Sequence, residues 1–266
     1  MGIDRRKFLQ VSGLTMLGFA AGSPARVFSQ EDSILVDSVT TGDGTITPVV
    51  GSRWAMVVDL KKCKDDGGEN CRDCMLACHE VHNVPQFDDP HDEIKWIWKE
   101  SFHGTFHSQE HEFLSEDITH ANVPVLCNHC DRPPCVRVCP TKATWKRKSD
   151  GIVMMDMHRC IGCRYCIVAC PYGARSFNFR DPRPRIEKVN PRFPTRMRGV
   201  VEKCNFCAER LAVGKMPACV EACKHGALKF GDLEDPNSEV RQLLKDNFTI
   251  RRRPELGTQP QVYYLV

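Results

Sequence analysis

The 266-residue sequence predicts an α+β fold of two nested halves with loop-rich insertions. Three observations predict it. The 16 cysteines fall into four groups of four. Three of those groups end in the same kind of tail. Short runs rich in Val, Met and Ile stand before the cysteine loops, as strands do.

The chain opens MGIDRRKFLQVSGLTMLGFAAG, a short basic start followed by an apolar run from Val11 to Ala21. That is the shape of an export signal. The adjacent Arg5 and Arg6 before Lys7, Phe8 and Leu9 mark the twin-arginine type, whose route carries proteins already folded. Such a route answers why a thiol-rich chain would enter a compartment that pairs thiols into disulfides. Cleavage after Ala25 or Ser29 suits the small-residue rule. Taking residues 1–29 as the signal leaves 237 of the 266 residues. Arg5, Arg6, Lys7 and Arg26 then depart with Asp4, and the net charge of +3 falls to zero. The whole-chain pI of 8.1 is therefore no argument for nucleic acid. No later segment nears the roughly 20 apolar residues of a membrane span, so no transmembrane helix is expected after signal cleavage.

The third cysteine group is the most regular: CIGCRYCIVACP, with Cys160, Cys163, Cys166 and Cys170 in a C-x2-C-x2-C-x3-C-P pattern. The second, CNHCDRPPCVRVCP, holds Cys127, Cys130, Cys135 and Cys139. The fourth, CNFC followed by ACVEAC, holds Cys204, Cys207, Cys219 and Cys223. The first, CKDDGGENCRDCMLAC, holds Cys63, Cys71, Cys74 and Cys78. Closely spaced cysteines on a tight loop can wrap several irons of one cubane, while loop N–H groups point at the sulfurs. The fourth cysteine is expected on the helix that follows. Pro140 and Pro171 then end that turn. Zinc sites use two separated CxxC pairs, and disulfide frameworks need no such triplet. Four [4Fe–4S] clusters account for all sixteen thiols. Cys63 is the least regular ligand, because the polar stretch KDDGGEN separates it from Cys71. The stretch AERLAVGKMPA, between Cys207 and Cys219, reads as an inserted short helix and turn.

The tails CPTKATW, CPYGARSF and CKHGALKF each place an alanine four residues after the last cysteine: Ala143, Ala174 and Ala227. A strand-like stretch follows each. RWAMVVDL and GIVMMDMH read as strands, and the turn KSDG between Trp145 and Gly151 predicts a hairpin. This repeat implies duplicated units of strand, cysteine loop, short helix and strand. Half A comprises residues 52–119 and 195–235, half B residues 120–194, and residues 236–266 form a C-terminal extension. The apolar core reads as small for the length, so metal binding is expected to carry part of the folding free energy.

His103, His107 and His111 recur every four residues, yet Gly104 and Thr105 weaken a helix there, and they read as exposed rather than ligating. His79 and His82 flank the first cysteine group and are expected to cover or tune it. The basic, proline-rich RDPRPRIEKVNPRFPTRMRG reads as a solvated linker or a docking surface for an acidic redox partner. No dinucleotide fingerprint, P-loop or nucleophile elbow is present. The expected role is electron transfer, with no catalytic site of its own.

These motifs resemble the electron-transfer subunits of the molybdopterin oxidoreductase family, which includes polysulfide, tetrathionate and dimethyl sulfoxide reductases. A narrower resemblance is to the DsrO-type exported subunits of DsrMKJOP membrane complexes. It is carried by LCNHCDRPPCVRVCPTKATWKR, RCIGCRYCIVACPYGARSFNFRDPR, VVEKCNFCAERL, WIWKE and the C-terminal TIRRRPELGTQPQVYYLV. The resemblance implies a relay at the periplasmic or exterior membrane face. Its partners would be a quinone-interacting integral membrane subunit of the NrfD/PsrC type and either a multihaem cytochrome c or a molybdopterin subunit. The setting it implies is dissimilatory sulfur metabolism.

In two-cluster ferredoxins the fourth cysteine of each motif ligates the other motif's cluster. By that rule Cys127, Cys130 and Cys135 share a cluster with Cys170, and Cys160, Cys163 and Cys166 share one with Cys139. The outer groups then pair across the chain: Cys63, Cys71 and Cys74 with Cys223, and Cys204, Cys207 and Cys219 with Cys78. Each quartet closing on itself is the alternative.

Overall fold

The computed structural model describes residues 40–41, 44–45, 47–65, 67, 70–114, 119 and 121–266, all within one compact unit, Val36–Val266. The predicted export signal lies outside the described residues. The fold is mixed α/β.

Its principal sheet has four strands in the order Leu228–Asp232, Trp54–Asp59, Val262–Leu265 and Thr249–Ile250. The central strand β3 (Trp54–Asp59) runs antiparallel to β10 (Leu228–Asp232) and parallel to β12 (Val262–Leu265), which pairs with β11 (Thr249–Ile250). The continuous apolar run of β3 is what burial on both faces requires. Trp54, Met56 and Val58 face the main core, whereas Ala55 and Val57 face Leu233, Val240 and Leu265. Val240 belongs to the helix Glu239–Asp246, whose N-cap Ser238 accepts a hydrogen bond from the Arg241 N–H at 3.2 Å.

Further strands form two-residue to five-residue hairpins. β4 (Ile97–Ser101) pairs with β5 (Asn122–Leu126), and β8 (Ser176–Phe177) with β9 (Val201–Glu202). The expected hairpin across KSDG is present, with β6 (Thr144–Lys146) antiparallel to β7 (Val153–Met155). A two-stranded pair, β1 (Thr40–Thr41) with β2 (Gly44–Thr45), precedes them.

The core is larger than composition suggests. Trp96, Phe102, Phe106, Phe206 and Tyr264 are all nearly fully buried, drawn largely from the insertion and the C-terminus. The C-terminal extension is woven in rather than appended. It supplies β11 and β12, and its loop bonds back to the second cysteine group: Asp131 N–H to Gln259 O at 2.8 Å and Arg132 N–H to Thr258 O at 3.0 Å.

The basic, proline-rich stretch departs from the linker reading. Arg180, Arg185 and Lys188 do sit at the surface, paired with Asp92, Asp88 and Glu80. Phe193, however, packs edge-on against His82 and Trp96, and Arg196 is buried against Glu202 at 2.6 Å. A basic segment with interspersed prolines gives no local sign that a partner 100 residues away will bury part of it.

Candidate iron–sulfur sites

Each cysteine loop is shaped by the residues between its thiols. In CNHC, CIGC and CNFC the residue before the second cysteine takes a left-handed backbone: His129 at φ 41°, Gly162 at φ 70° and Phe206 at φ 54°. Only Gly162 adopts this without steric cost. Strain of this kind at His129 and Phe206 is typical of functional loops. A Cβ at Gly162 would meet Gly199 O at 2.5 Å. The rings of His129 and Phe206 stack at 3.7 Å, locking the second and fourth loops back to back.

The third cysteine of these groups sits on a four-residue helix: Cys135 on Pro134–Arg137, Cys166 on Tyr165–Val168 and Cys219 on Ala218–Glu221. The fourth lies just past the helix end, not on it as expected. Cys78 differs, lying within the nine-residue helix Asp73–Val81, which runs on past it to Val81. The helix of Cys74 and Cys78 packs on that of Cys219, and the helix of Cys135 on that of Cys166.

The repeated alanines have two roles. Ala143, Ala174 and Ala227 are each 1% exposed, so a larger side chain would not fit. Their backbone also serves the sulfurs, since Ala174 and Tyr172 N–H groups donate to Cys170. Burial works to raise the Cys139 pKa, but N–H donors from Thr144, Ala143 and Thr141, with the Thr141 hydroxyl, hold it below the ordinary value.

All sixteen cysteines are free. Cys74 interacts with Cys63, Cys223 and Cys71. Cys78 sits chiefly among Cys207, Cys204 and Cys219. Cys130 lies with Cys127, Cys135 and Cys170, and these four line one recess with Pro133, Pro134 and Tyr172. Cys166 neighbours Cys160 and Cys135. Cys163 occupies the same loop, and the contacts of Cys139 are those of its own tail. Neighbours in different groups are Cys78 with Cys207, Cys204 and Cys219, Cys204 with Cys127, and Cys166 with Cys135.

Burial pushes the thiols of Cys74, Cys130 and Cys204 up to about 12. Desolvation penalises the thiolate, so packed thiols of this kind ionise only with a metal to neutralise them. The recess fits an anionic cluster in a second way, because buried Arg175 donates from its guanidinium to Cys135 Sγ at 3.1 Å.

Some neighbours of the sites are not visible in the cysteine spacing. His82 is 1% exposed, stacked on Trp96 at 4.4 Å, with Nδ1 2.9 Å from Cys78 O and Nε2 2.8 Å from Glu209 Oε1. His82, Cys207 and Glu209 present donor atoms within 4.8 Å of one another. His82 thus lies against Cys78 of the first cysteine group and Cys207 of the fourth. His103 instead pairs with Glu110 at 2.5 Å, and His103, His107 and His111 are all exposed.

Comparison with known proteins follows the same lines. Residues 118–184 and 190–233 match the 4Fe-4S dicluster domain model. The chain is 46% identical to the Hdr-like menaquinol oxidoreductase iron-sulfur subunit 1 of Archaeoglobus fulgidus, over 80% of this chain and 82% of that protein. It is 36% identical to a subunit of tetrathionate reductase from Salmonella typhimurium, over 80% and 72%. To protein NrfC of Escherichia coli it is 35% identical, over 98% and 94%. The chain belongs to the family of iron–sulfur electron-transfer subunits of quinol and molybdopterin oxidoreductase complexes.

Proposed function

We propose that this chain relays electrons along four [4Fe–4S] clusters between a membrane quinone-interacting subunit and a multihaem cytochrome c. The observation that carries the reading is the order of contacts. Neighbouring thiols Cys78 and Cys207, Cys204 and Cys127, and Cys135 and Cys166 join the cysteine groups end to end, in the order one, four, two, three. A row suits conduction; four independent structural metals have no need of one.

In this reading the ligand sets are Cys63, Cys71, Cys74 and Cys223; Cys204, Cys207, Cys219 and Cys78; Cys127, Cys130, Cys135 and Cys170; and Cys160, Cys163, Cys166 and Cys139. The halves are nested, residues 120–194 lying between the two segments of the outer half. The pairing of β3 with β10 and the two helix pairs support this. When bound, a [4Fe–4S] cluster supplies one-electron storage at a potential set by charge, hydrogen bonds and exposure. The chain's own residues hold the sulfurs, aim N–H groups at them and exclude water.

The twin arginines support delivery to the exterior or periplasmic face already folded. Likeness to a menaquinol oxidoreductase subunit, together with the motifs quoted above, supports a DsrO-like role in dissimilatory sulfur metabolism. A second reading, the same relay serving a molybdopterin catalytic subunit, draws on the likeness to the tetrathionate reductase protein. Purification of the tagged native chain from membranes in mild detergent tests both. A polytopic quinone-site subunit with a multihaem cytochrome is the expected result. A molybdopterin subunit in place of the cytochrome selects the second reading, and recovery with neither overturns both.

A further inference from the structure

Three buried cations lie at or behind the recess of Cys127, Cys130, Cys135 and Cys170: Arg175 lines it, Lys203 neighbours Cys127, and Arg252 backs Tyr172. Arg175 is 4% exposed, Lys203 1% and Arg252 6%. Arg175 donates to Cys135 Sγ at 3.1 Å and to Thr144 Oγ1 at 2.8 Å, and it also interacts with Cys166. The Lys203 ammonium donates to the carbonyls of Val153 and Cys204, and its strongest attractive thiolate neighbour is Cys127. Arg252 stands 5.4 Å over the ring of Tyr172, with Nε and one terminal nitrogen lacking a partner. Tyr172 lines the recess, and its hydroxyl meets the Thr258 hydroxyl.

Among the described residues none of the three cations makes a salt bridge. The fold does supply a carboxylate where it buries an arginine for structure alone, since Arg196 has Glu202 at 2.6 Å. The first and fourth groups have neighbours of both signs: Lys99 and Asp59 act on Cys63, Lys203 and Glu209 on Cys204, and Glu209 and Arg210 on Cys207. Uncompensated cations are costly to bury, and here the negative charge that offsets them is that of the thiolate-ligated site itself.

We propose that Arg175, Lys203 and Arg252 make the interior site of Cys127, Cys130, Cys135 and Cys170 the most positive redox centre of the row, where an entering electron rests. The step moves one electron from an adjoining iron–sulfur site to this one. No bond forms and no proton moves, because the compensating charges are fixed cations already in place. Reduction adds one negative charge, and nearby buried positive charge stabilises the more negative state. The inference rests on the ligand sets proposed above.

The test is an anaerobic redox titration of the full-length holoprotein, followed by electron paramagnetic resonance. Arg175→Met and Lys203→Met should each lower the highest midpoint by at least about tenfold in reduction equilibrium, near 59 mV for one electron. Arg175→Lys keeps the charge and should retain most of the potential. The neighbouring centre that also shifts should differ, toward the Cys166 site for Arg175 and the Cys204 site for Lys203. Arg252→Met, which touches no cysteine sulfur, gives an independent variant should either of the others load poorly. A highest midpoint unmoved in the loaded variants, or a shared shift in a lower centre, overturns the proposal. Iron and acid-labile sulfide in the wild type separate the two failures. A wild type without iron–sulfur clusters defeats the ligand reading, and a fully loaded one that ignores the substitutions defeats this inference alone.

Discussion

Replacing Glu202 with glutamine removes the negative charge buried against Arg196 and leaves the shape nearly unchanged. Both side chains are fully buried, with the closest N–O distance 2.6 Å. Glu202 also accepts from Trp96 Nε1 at 2.9 Å and Asn178 Nδ2 at 2.6 Å. A glutamine would set its own N–H against one of those donors. Removing one partner of a buried pair costs about 3–5 kcal/mol, since the other charge stays desolvated. For a domain of this size 1 kcal/mol moves Tm by about 2–4 °C, so the loss should be about 6–20 °C. Arg196→Met should fall in the same range. The double variant should cost less than the sum of the two, with a coupling at the upper end of about 0.5–3 kcal/mol. Arg196 also donates to the carbonyls of His82 and Asn83, and His82 backs onto Cys78. The iron–sulfur absorbance should therefore bleach along with tryptophan exposure. The assay is anaerobic thermal unfolding of the holoprotein at matched scan rates, followed by both signals. A Tm for Glu202→Gln within about 2 °C of wild type would refute the view that this pair clamps the basic stretch to the core.

Two other outcomes follow from the loops and the thiols. Gly162→Ala should cost far more than Gly173→Ala: both have positive φ, but a Cβ at Gly162 meets Gly199 O at 2.5 Å, while Gly173 has nothing within 4 Å. Iron content per chain should fall by about one cluster in the first and hold in the second; equal loading would contradict the tight-loop account. Reconstitution with iron and sulfide should strengthen as pH rises from 6.5 to 8.5. Burial raises the thiols of Cys74, Cys130 and Cys204 to about 12, so they are protonated throughout that window and ligation must expel their protons. Loading that is indifferent to pH would mean that these thiols ionise without the metal.

The cysteine loops were legible because their chemistry is local: a cubane dictates thiol spacing within a dozen residues. The hairpin across KSDG was legible for the same reason, and so was the importance of Ala143, Ala174 and Ala227. What stayed hidden depends on partners far along the chain. The parallel insertion of Val262–Leu265 beside Trp54–Asp59 joins the ends of the described fold, and VYYL alone names no neighbour. Phe193 and Arg196 lie in a segment whose composition signals solvent, and their burial is decided by His82, Trp96 and Glu202. The helix Glu239–Asp246 did carry a signal, with Ser238 as cap and Val240, Leu243 and Leu244 at helical spacing. The position of the fourth cysteine beyond its helix follows from how short the helices are, which proline alone does not reveal.

Metal content distinguishes an electron relay from the alternatives most directly. Anaerobically purified full-length protein should contain about 16 iron and about 16 acid-labile sulfide per chain, four of each for every [4Fe–4S] cluster. About four zinc with no labile sulfide would contradict it, leaving a zinc-stabilised interaction module in place of an electron relay.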